Sequence, residues 1–192
     1  MEYKKEDAYR NLDRVNGWCS NCDSKASILL TLIGVTISVV FTTDIVLDTL
    51  KEIIGSFFIY WKDLYLKIDW LSLIIVIISC TNIYFMVKSI YWLLCSLTAN
   101  IDSTTMNEEG LEKKSCLFFG TISSEKSYKD FKDRTANISS DELMNDINSQ
   151  IYINSKIITK KFVCYNKSIK NLKKGLILLL FFLLLIIIKS AL

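Results

Sequence analysis

Apolar residues along the chain are concentrated in three blocks. Residues 26–43 and 70–87 each form 18 positions without a charge, and residues 175–188 form 14 apolar positions in a row. A membrane-spanning helix needs roughly 17 to 25 largely apolar residues. The first two blocks meet this length, and the third approaches it with residues 190–192 and with lysine side chains that extend to the interface. The pattern predicts an all-α integral membrane protein with three transmembrane helices.

The polar parts of the chain also contain helical patterns. Apolar side chains recur every three to four residues along residues 3–22 and continue into the first block. Ser139 and Glu142 have the spacing of a capping box, which marks a helix start. No proline or glycine follows until Gly175. We therefore predict a cytosolic helix of roughly 50 residues, on the order of 75 Å, that is continuous with the last span.

Three further segments have less definite patterns. Residues 53–61 are too short to cross a membrane and are rich in aromatics, which predicts a surface-lying or hairpin segment. Residues 98–114 are polar and predict a loop. Residues 116–122, "CLFFGTI", fit either a buried strand or a plug that docks on the helices, and periodicity does not decide between them.

Lysine and arginine counts predict the orientation in the membrane. Residues 1–25 carry five, residues 44–69 carry three against five acidic residues, and residues 98–174 carry thirteen. The N-terminus is therefore expected in the cytosol, without a signal peptide. In chain order, we predict a cytosolic N-terminal helix (1–25), the first two spans with an exported loop (26–97), a cytosolic sensing segment with the long helix (98–174) and the third span (175–192).

Small and hydroxyl residues follow one face of each of the first two spans. They include Ser27, Thr31, Gly34 and Ser38 in the first span, and Ser72, Ser79, Asn82, Ser89 and Ser96 in the second. Such faces let membrane helices pack closely, within one chain or across a homo-oligomer. They are also polar enough to line a conduit that opens on a signal. The third span has no polar residue and is predicted to face lipid.

The composition gives little support for catalysis. The chain has no histidine, which excludes a serine triad and an HExxH zinc site, and it contains no phosphate-binding glycine motif. A thiol redox enzyme that uses Cys19 and Cys22 is a weaker alternative, and we predict no metal and no cofactor. The net charge of +3 is too small to suggest a nucleic-acid partner.

Asp23 and Lys25 lie at the start of the first span. They are two residues apart, so on a helix they do not face each other. In one interpretation they anchor the span, with Lys25 at the interface and Asp23 paired with a neighbouring helix. In the other they belong to a site that senses an anionic ligand, which Lys156, Lys160 and Lys161 would also serve.

Several motifs occur in a fixed order. They are "WCSNCDSKASILLTLIGV" (18–35), "LFFGTI" (117–122), Tyr128, and "DELMNDINSQIYINSKIITKKFVCYNKSI" (141–169), which leads into the last apolar block. From roughly residue 10 to 190, this order resembles the Pycsar-type transmembrane effectors of bacterial cyclic-nucleotide anti-phage defence. The chain departs in having Ser115 and Cys116 where that family usually has a proline, and Phe162 where it has a tyrosine.

The resemblance implies a multi-pass effector in the bacterial inner membrane, with the lipid bilayer and a cyclic pyrimidine mononucleotide as partners. Cyclic CMP or cyclic UMP from a partner cyclase would activate it, and it would impair the membrane and cause abortive infection. We expect Asp23, Lys25, Phe119 and Tyr128 to sense the ligand, with the aromatics contacting the base. The alternative is a non-catalytic membrane anchor or scaffold whose cytosolic helix binds a soluble protein.

Overall fold

The structure is a computed structural model. It describes residues 3–62, 69–98 and 108–191, apart from the side chains of residues 57–62. Within these ranges the chain forms helices and no strand. The helices are α1 (Lys5–Thr42), α2 (Asp44–Lys62), α3 (Trp70–Leu97), α4 (Phe119–Ser123), α5 (Tyr128–Asn137) and α6 (Ser140–Ala191). Among them α1, α3 and α6 are long and apolar enough to cross a membrane. The predicted all-α fold with three spanning helices is confirmed.

The long helix α6 begins where the sequence predicts. The backbone N–H of Ser139 donates to Glu142 Oε2 at 2.8 Å, and the N–H of Glu142 donates to Ser139 Oγ at 3.2 Å. The hydrogen bond from the Ser139 backbone lowers the pKa of Glu142. This capping box satisfies two N–H groups that a helix start otherwise leaves without partners. The helix then continues for 52 residues, in agreement with the predicted length.

The residues form two compact units. The first contains the described residues within 1–24 and 96–163, and the second contains those within 25–95 and 164–192. The helices α1 and α6 contribute residues to both units. The apolar stripe predicted at the start of α1 is confirmed, because Ala8, Val15 and Cys22 are all at most 3% exposed.

In the first unit, residues 119–122 of the 116–122 segment belong to the short helix α4, and no residue of this segment forms a strand. The backbone is extended at Phe118 and then enters α4. A Cβ at Gly120 would lie 2.5 Å from Phe118 Cε1, so a larger residue at this position would require the Phe118 ring to move. Ser115 supports the turn, since its Oγ accepts from the N–H groups of Leu117 and Phe118.

The second unit has an aliphatic core to which the last span contributes. Val46 and Ile53 of α2, Ile75 of α3, and Phe182 and Ile186 of α6 are buried together. The prediction that the third span faces lipid is therefore wrong for one side of the helix. Its aliphatic surface packs by dispersion contacts, which need no polar residue. Residues 53–61 belong to α2, so they form neither a hairpin nor a separate segment.

Polar groups of α3 pair with α6 inside the second unit. Ser89 Oγ lies 2.7 Å from Ser168 Oγ, and both hydroxyls are buried. Asn82 Nδ2 donates to the carbonyl oxygen of Gly175 at 2.6 Å. Two residues of the polar stripe of the second span, Asn82 and Ser89, thus contact α6, where a backbone carbonyl and a serine hydroxyl are their partners.

Candidate functional site

The first unit contains a charged cavity of about 480 Å³. It lies among the segment before α4, the helix α5 and the first turns of α6. Its lining residues are Glu112, Lys114, Cys116, Asp133, Arg134, Asn137, Ile138, Glu142 and Asp146. Small-molecule sites usually occupy about 300–1,000 Å³. The cavity is therefore large enough for a nucleotide-sized ligand.

Local sequence signals position the two helices that form the cavity. Ser127 caps α5 by accepting from the Asp130 N–H at 3.2 Å. The backbone is extended at Ile138, and Ser139 caps α6. This two-residue connection between capped helices brings α5 and the start of α6 to the same cavity.

Arg134 is held in place by two groups. Its Nη1 donates to the carbonyl oxygen of Lys114, and its Nη2 lies 2.9 Å from Glu125 Oε1. Its Nε is buried without a hydrogen-bond partner within the described part of the chain. A guanidinium has five N–H donors in a rigid plane. Arg134 therefore keeps donor capacity at the cavity.

Asp146 is 1% exposed and has two oxygens in different situations. Oδ2 accepts from the backbone N–H of Cys116 at 2.7 Å, a bond that a proline at this position could not donate. Oδ1 is buried and has no partner among the residues that the structure describes. An unpaired buried acceptor costs about 1–3 kcal/mol. Asp146 helps to line the cavity, so it brings an acceptor without a partner close to the space that a ligand would occupy.

The Cys116 thiol also lines the cavity. Burial raises the pKa of Cys116, against an opposing effect of the nearby Arg134 charge. A reactive thiol needs a lowered pKa, because the thiolate is the nucleophile. The raised pKa of Cys116 therefore disfavours the reactive form of this thiol.

An ion pair joins α1 and α6 within the first unit. Lys161 Nζ lies 2.6 Å from Asp23 Oδ1, and the lysine side chain is 6% exposed. Nearby, Asn154 donates to Asn16 across the same two helices at 2.9 Å. Asp23 therefore has the partner on a neighbouring helix that the anchoring interpretation requires. Lys25 belongs to the second unit and is exposed.

The predicted aromatic sensing residues do not line the cavity. Phe119 is 77% exposed and Tyr128 is 78% exposed. No hydrogen bond or ion pair joins any two of Asp23, Lys25, Phe119 and Tyr128 in the described ranges. Sequence reasoning missed Arg134 and Asp146. Asp146 had a signal, because an acidic residue three positions after Leu143 falls on the apolar stripe of α6, whereas Arg134 had none.

The predicted conduit or packing residues fall into two groups. Ser27, Thr31, Gly34 and Ser38 are exposed on α1, and the hydroxyls of Thr31 and Ser38 donate to carbonyls of their own helix. Ser79 and Asn82 line a mostly apolar cavity of about 240 Å³ in the second unit. The first group does not line this cavity.

The cysteines of the CxxC sequence lie on α1. Burial raises the pKa of Cys19, and Cys22 Sγ lies 3.5 Å from Ser96 Oγ. Across the described residues, no group of three or more histidine, cysteine or acidic side chains could hold a metal ion.

Comparison with known proteins gives two matches. A family model described as a Pycsar effector protein domain matches residues 7–188. The chain is 40% identical over 166 residues to the "Pycsar effector protein GmPycTM" of Gulbenkiania mobilis, and the alignment covers 86% of this chain and 84% of that protein. No solved structure matches the chain significantly.

Proposed function

Since the chain belongs to the Pycsar effector family, we propose that it is a membrane effector of anti-phage defence that a cyclic nucleotide activates. The activating ligand is cyclic CMP or cyclic UMP from a partner cyclase. Activation impairs the bacterial inner membrane and causes abortive infection. The observation that carries this proposal is that α6, one of the helices able to span a membrane, begins at a charged, nucleotide-sized cavity.

The chemistry of the cavity supports a nucleotide ligand. Arg134 has a spare N–H donor, which suits the oxygens of a cyclic phosphate. Asp146 has a spare acceptor, which suits an N–H group of a base. A cyclic mononucleotide offers both an anionic phosphate and a hydrogen-bonding base, so one molecule satisfies both residues.

The helix α6 supplies a route from the cavity to the membrane. Glu142 and Asp146 line the cavity, and the same helix continues to Ala191. A ligand shifts an equilibrium only by binding one arrangement better than the other. We propose that the ligand favours an arrangement of α6 that differs from the ligand-free one, and that the Asp23–Lys161 pair transmits the change to α1.

The proposed topology follows the charge distribution along the sequence. Residues 1–25 and 98–174 lie in the cytosol, and residues 44–69 lie on the exported side. The exposed small residues of α1, centred on Gly34, form the contact with a second copy in a homo-oligomer. Within such an assembly they either pack helices together or line a conduit.

The test is membrane integrity in bacteria that express the full chain with a pyrimidine nucleotide cyclase. Dye uptake and loss of membrane potential are expected only with an active cyclase, and not with a cyclase whose catalytic residues are substituted. Protein in the membrane fraction is quantified in every strain. Intact membranes with confirmed insertion and confirmed cyclic CMP and cyclic UMP would contradict the proposal.

A membrane anchor or scaffold is the second candidate. The exposure of Phe119 and Tyr128, which line no cavity described here, favours it. Exposed aromatics are frequent anchors in protein interfaces. Substitution of both by serine would abolish capture of a soluble partner if the chain is a scaffold, and would leave cyclase-dependent dye uptake intact if it is a nucleotide-activated effector.

A non-catalytic role fits the thiols as well. Burial raises the pKa of both Cys19 and Cys116, which disfavours the reactive thiolate. We therefore propose that the chain acts through binding and rearrangement rather than through thiol chemistry.

A further inference from the structure

The two oxygens of Asp146 are not equivalent. The backbone N–H of Cys116 holds Oδ2 at 2.7 Å, while Oδ1 is buried without a partner within the described residues. The carboxylate cannot rotate without losing the bond to Cys116. Its free oxygen therefore has a fixed position beside the cavity that Asp146 helps to line, and a carboxylate oxygen can only accept a hydrogen bond.

The bases of the two proposed ligands differ at the edge that such an acceptor would contact. Cytosine carries an exocyclic amine with two N–H groups, which is the usual partner of an aspartate or glutamate oxygen. Uracil has a carbonyl oxygen in the same place. Its single ring N–H lies between two carbonyl oxygens, which bring negative charge close to a carboxylate. A fixed carboxylate oxygen thus favours cytosine.

We infer that Asp146 is a specificity residue whose Oδ1 accepts from the exocyclic amine of cytosine, so that the cavity selects cyclic CMP over cyclic UMP. This inference rests on the proposed function, since it assigns the base to a ligand already proposed for this cavity. Arg134 is the group on the same cavity with a spare donor for the phosphate. Arg134 thus binds the phosphate of the ligand and Asp146 binds its base.

The hydrogen bond from the Cys116 N–H to Asp146 makes the Asp146→Asn substitution informative. In an Asp146→Asn variant, only the amide oxygen can accept from the Cys116 N–H, because an NH₂ group there would face another donor. The NH₂ group therefore takes the position of Oδ1 beside the cavity. It is a donor, which matches the uracil carbonyl and opposes the cytosine amine. The substitution is expected to reverse the preference rather than merely weaken binding.

The experiment is calorimetric titration of the purified full chain in lipid nanodiscs with cyclic CMP and with cyclic UMP. The wild-type chain is expected to bind cyclic CMP at least about tenfold more tightly than cyclic UMP. With cyclic UMP, the buried Asp146 oxygen would face a carbonyl oxygen instead of an N–H donor, and an unsatisfied buried polar group lowers affinity by about this factor or more. Asp146→Asn is expected to bind cyclic UMP more tightly. Asp133→Asn, which removes another cavity carboxylate, is expected to change both affinities by the same factor.

A second measurement uses only the wild-type chain, so its outcome does not depend on whether a variant folds. The wild-type chain is titrated with the cyclic monophosphate of 2-pyrimidinone riboside. The base of this analogue lacks the exocyclic amine but is otherwise the same as cytosine. At least about tenfold weaker binding than that of cyclic CMP supports the inference. Equal binding of this analogue, or equal binding of cyclic CMP and cyclic UMP, overturns it and leaves the proposed function standing. Absence of binding by every cyclic nucleotide overturns both.

Discussion

The ammonium of Lys161 lies 2.6 Å from Asp23 Oδ1, and the two partners are unequally buried. The lysine side chain is 6% exposed, whereas the aspartate side chain is 38% exposed. Loss of the Asp23 partner should therefore be more costly for Lys161 than loss of Lys161 would be for Asp23, because a desolvated charge without a counter-charge is destabilising. The pair connects α1 to α6 in the first unit at the position where the sequence alone had suggested an anchor or a sensor.

Removal of Asp23 should destabilise the protein more than removal of the whole pair. Asp23→Asn leaves Lys161 buried without its counter-charge, and we expect a loss of about 1–3 kcal/mol, below the value for fully buried pairs because Asp23 is partly solvated. Asp23→Asn combined with Lys161→Met should recover much of this loss. Thermal unfolding of the detergent-solubilised variants measures both. Asp13→Asn, an exposed aspartate on the same helix, is the control, and equal unfolding temperatures for Asp13→Asn and Asp23→Asn would contradict the argument.

Arg134 should govern nucleotide affinity without affecting membrane insertion. Arg134→Gln removes the positive charge and the spare Nε donor at the cavity, so we expect affinity for a cyclic nucleotide to fall roughly tenfold to a hundredfold. Titration of the nanodisc-embedded chain measures this, and dye uptake with an active cyclase should fall in parallel. Lys132→Gln is the matched control, because this exposed residue on α5 does not line the cavity. An unchanged affinity in Arg134→Gln would place the phosphate elsewhere.

The sequence predicted the three long helices of this structure well because their signals are local. The Ser139 and Glu142 capping box and the unbroken helical pattern behind it predicted α6 almost to the residue. The cavity was not predictable in the same way. Arg134 lies on α5, and its guanidinium is held at the cavity by the carbonyl of Lys114, twenty positions away in sequence.

The error about the third span has a physical origin. Without polar residues, the helix gives no sign of which side packs against protein, since lipid and protein interiors are equally apolar. The burial of Phe182 and Ile186 arises from shape complementarity with α2 and α3. Such complementarity is a property of the assembled helices and is not encoded in the period of the third span.

Asp69 should make the second unit sensitive to acid. It accepts from Lys189 Nζ and Ser72 Oγ, each at 2.6 Å, and these contacts lower the pKa of Asp69 to about 2. Because the folded-state pKa lies below the unfolded value of about 4, the contribution is complete above pH 4 and is lost as the pH falls towards 2. The side chain is 42% exposed, so we expect less than about 1 kcal/mol.

The measurement is the unfolding temperature between pH 5 and about pH 2 for the wild-type chain and for Asp69→Asn, which retains a helix-capping side chain. The wild type should lose more stability over this range than the variant. Asp48→Asn is the control, since the Asp48–Lys51 pair lies within one helix and is more than 70% exposed on both sides. Parallel curves for the wild type and Asp69→Asn would show that the contact has no effect.

Gly34 should matter for assembly and not for the fold of one chain. Gly34 is exposed and a Cβ there would meet nothing within 4 Å, so a leucine side chain at this position begins in open space. In the proposed homo-oligomer it would separate helices that approach through small residues. We expect a smaller assembly in mass photometry of nanodisc samples, and reduced dye uptake. Val35→Leu, at an exposed neighbouring position, should leave both unchanged, and assemblies of the same size in both variants would exclude this face as the contact.

The bond from Asn82 to the Gly175 carbonyl should hold α3 against α6 in the resting protein. Interhelical hydrogen bonds in membranes contribute about 0.6 kcal/mol on average and up to about 1.7 kcal/mol, so Asn82→Leu should cause only a modest loss of stability. If opening requires α6 to move relative to α3, the same substitution should raise dye uptake in cells without a cyclase. Thr81→Val is the matched control, because the Thr81 hydroxyl donates to the carbonyl of Ile77 in its own helix. Lower stability in Asn82→Leu with no increase in basal uptake would mean that this contact supports the fold but does not oppose opening.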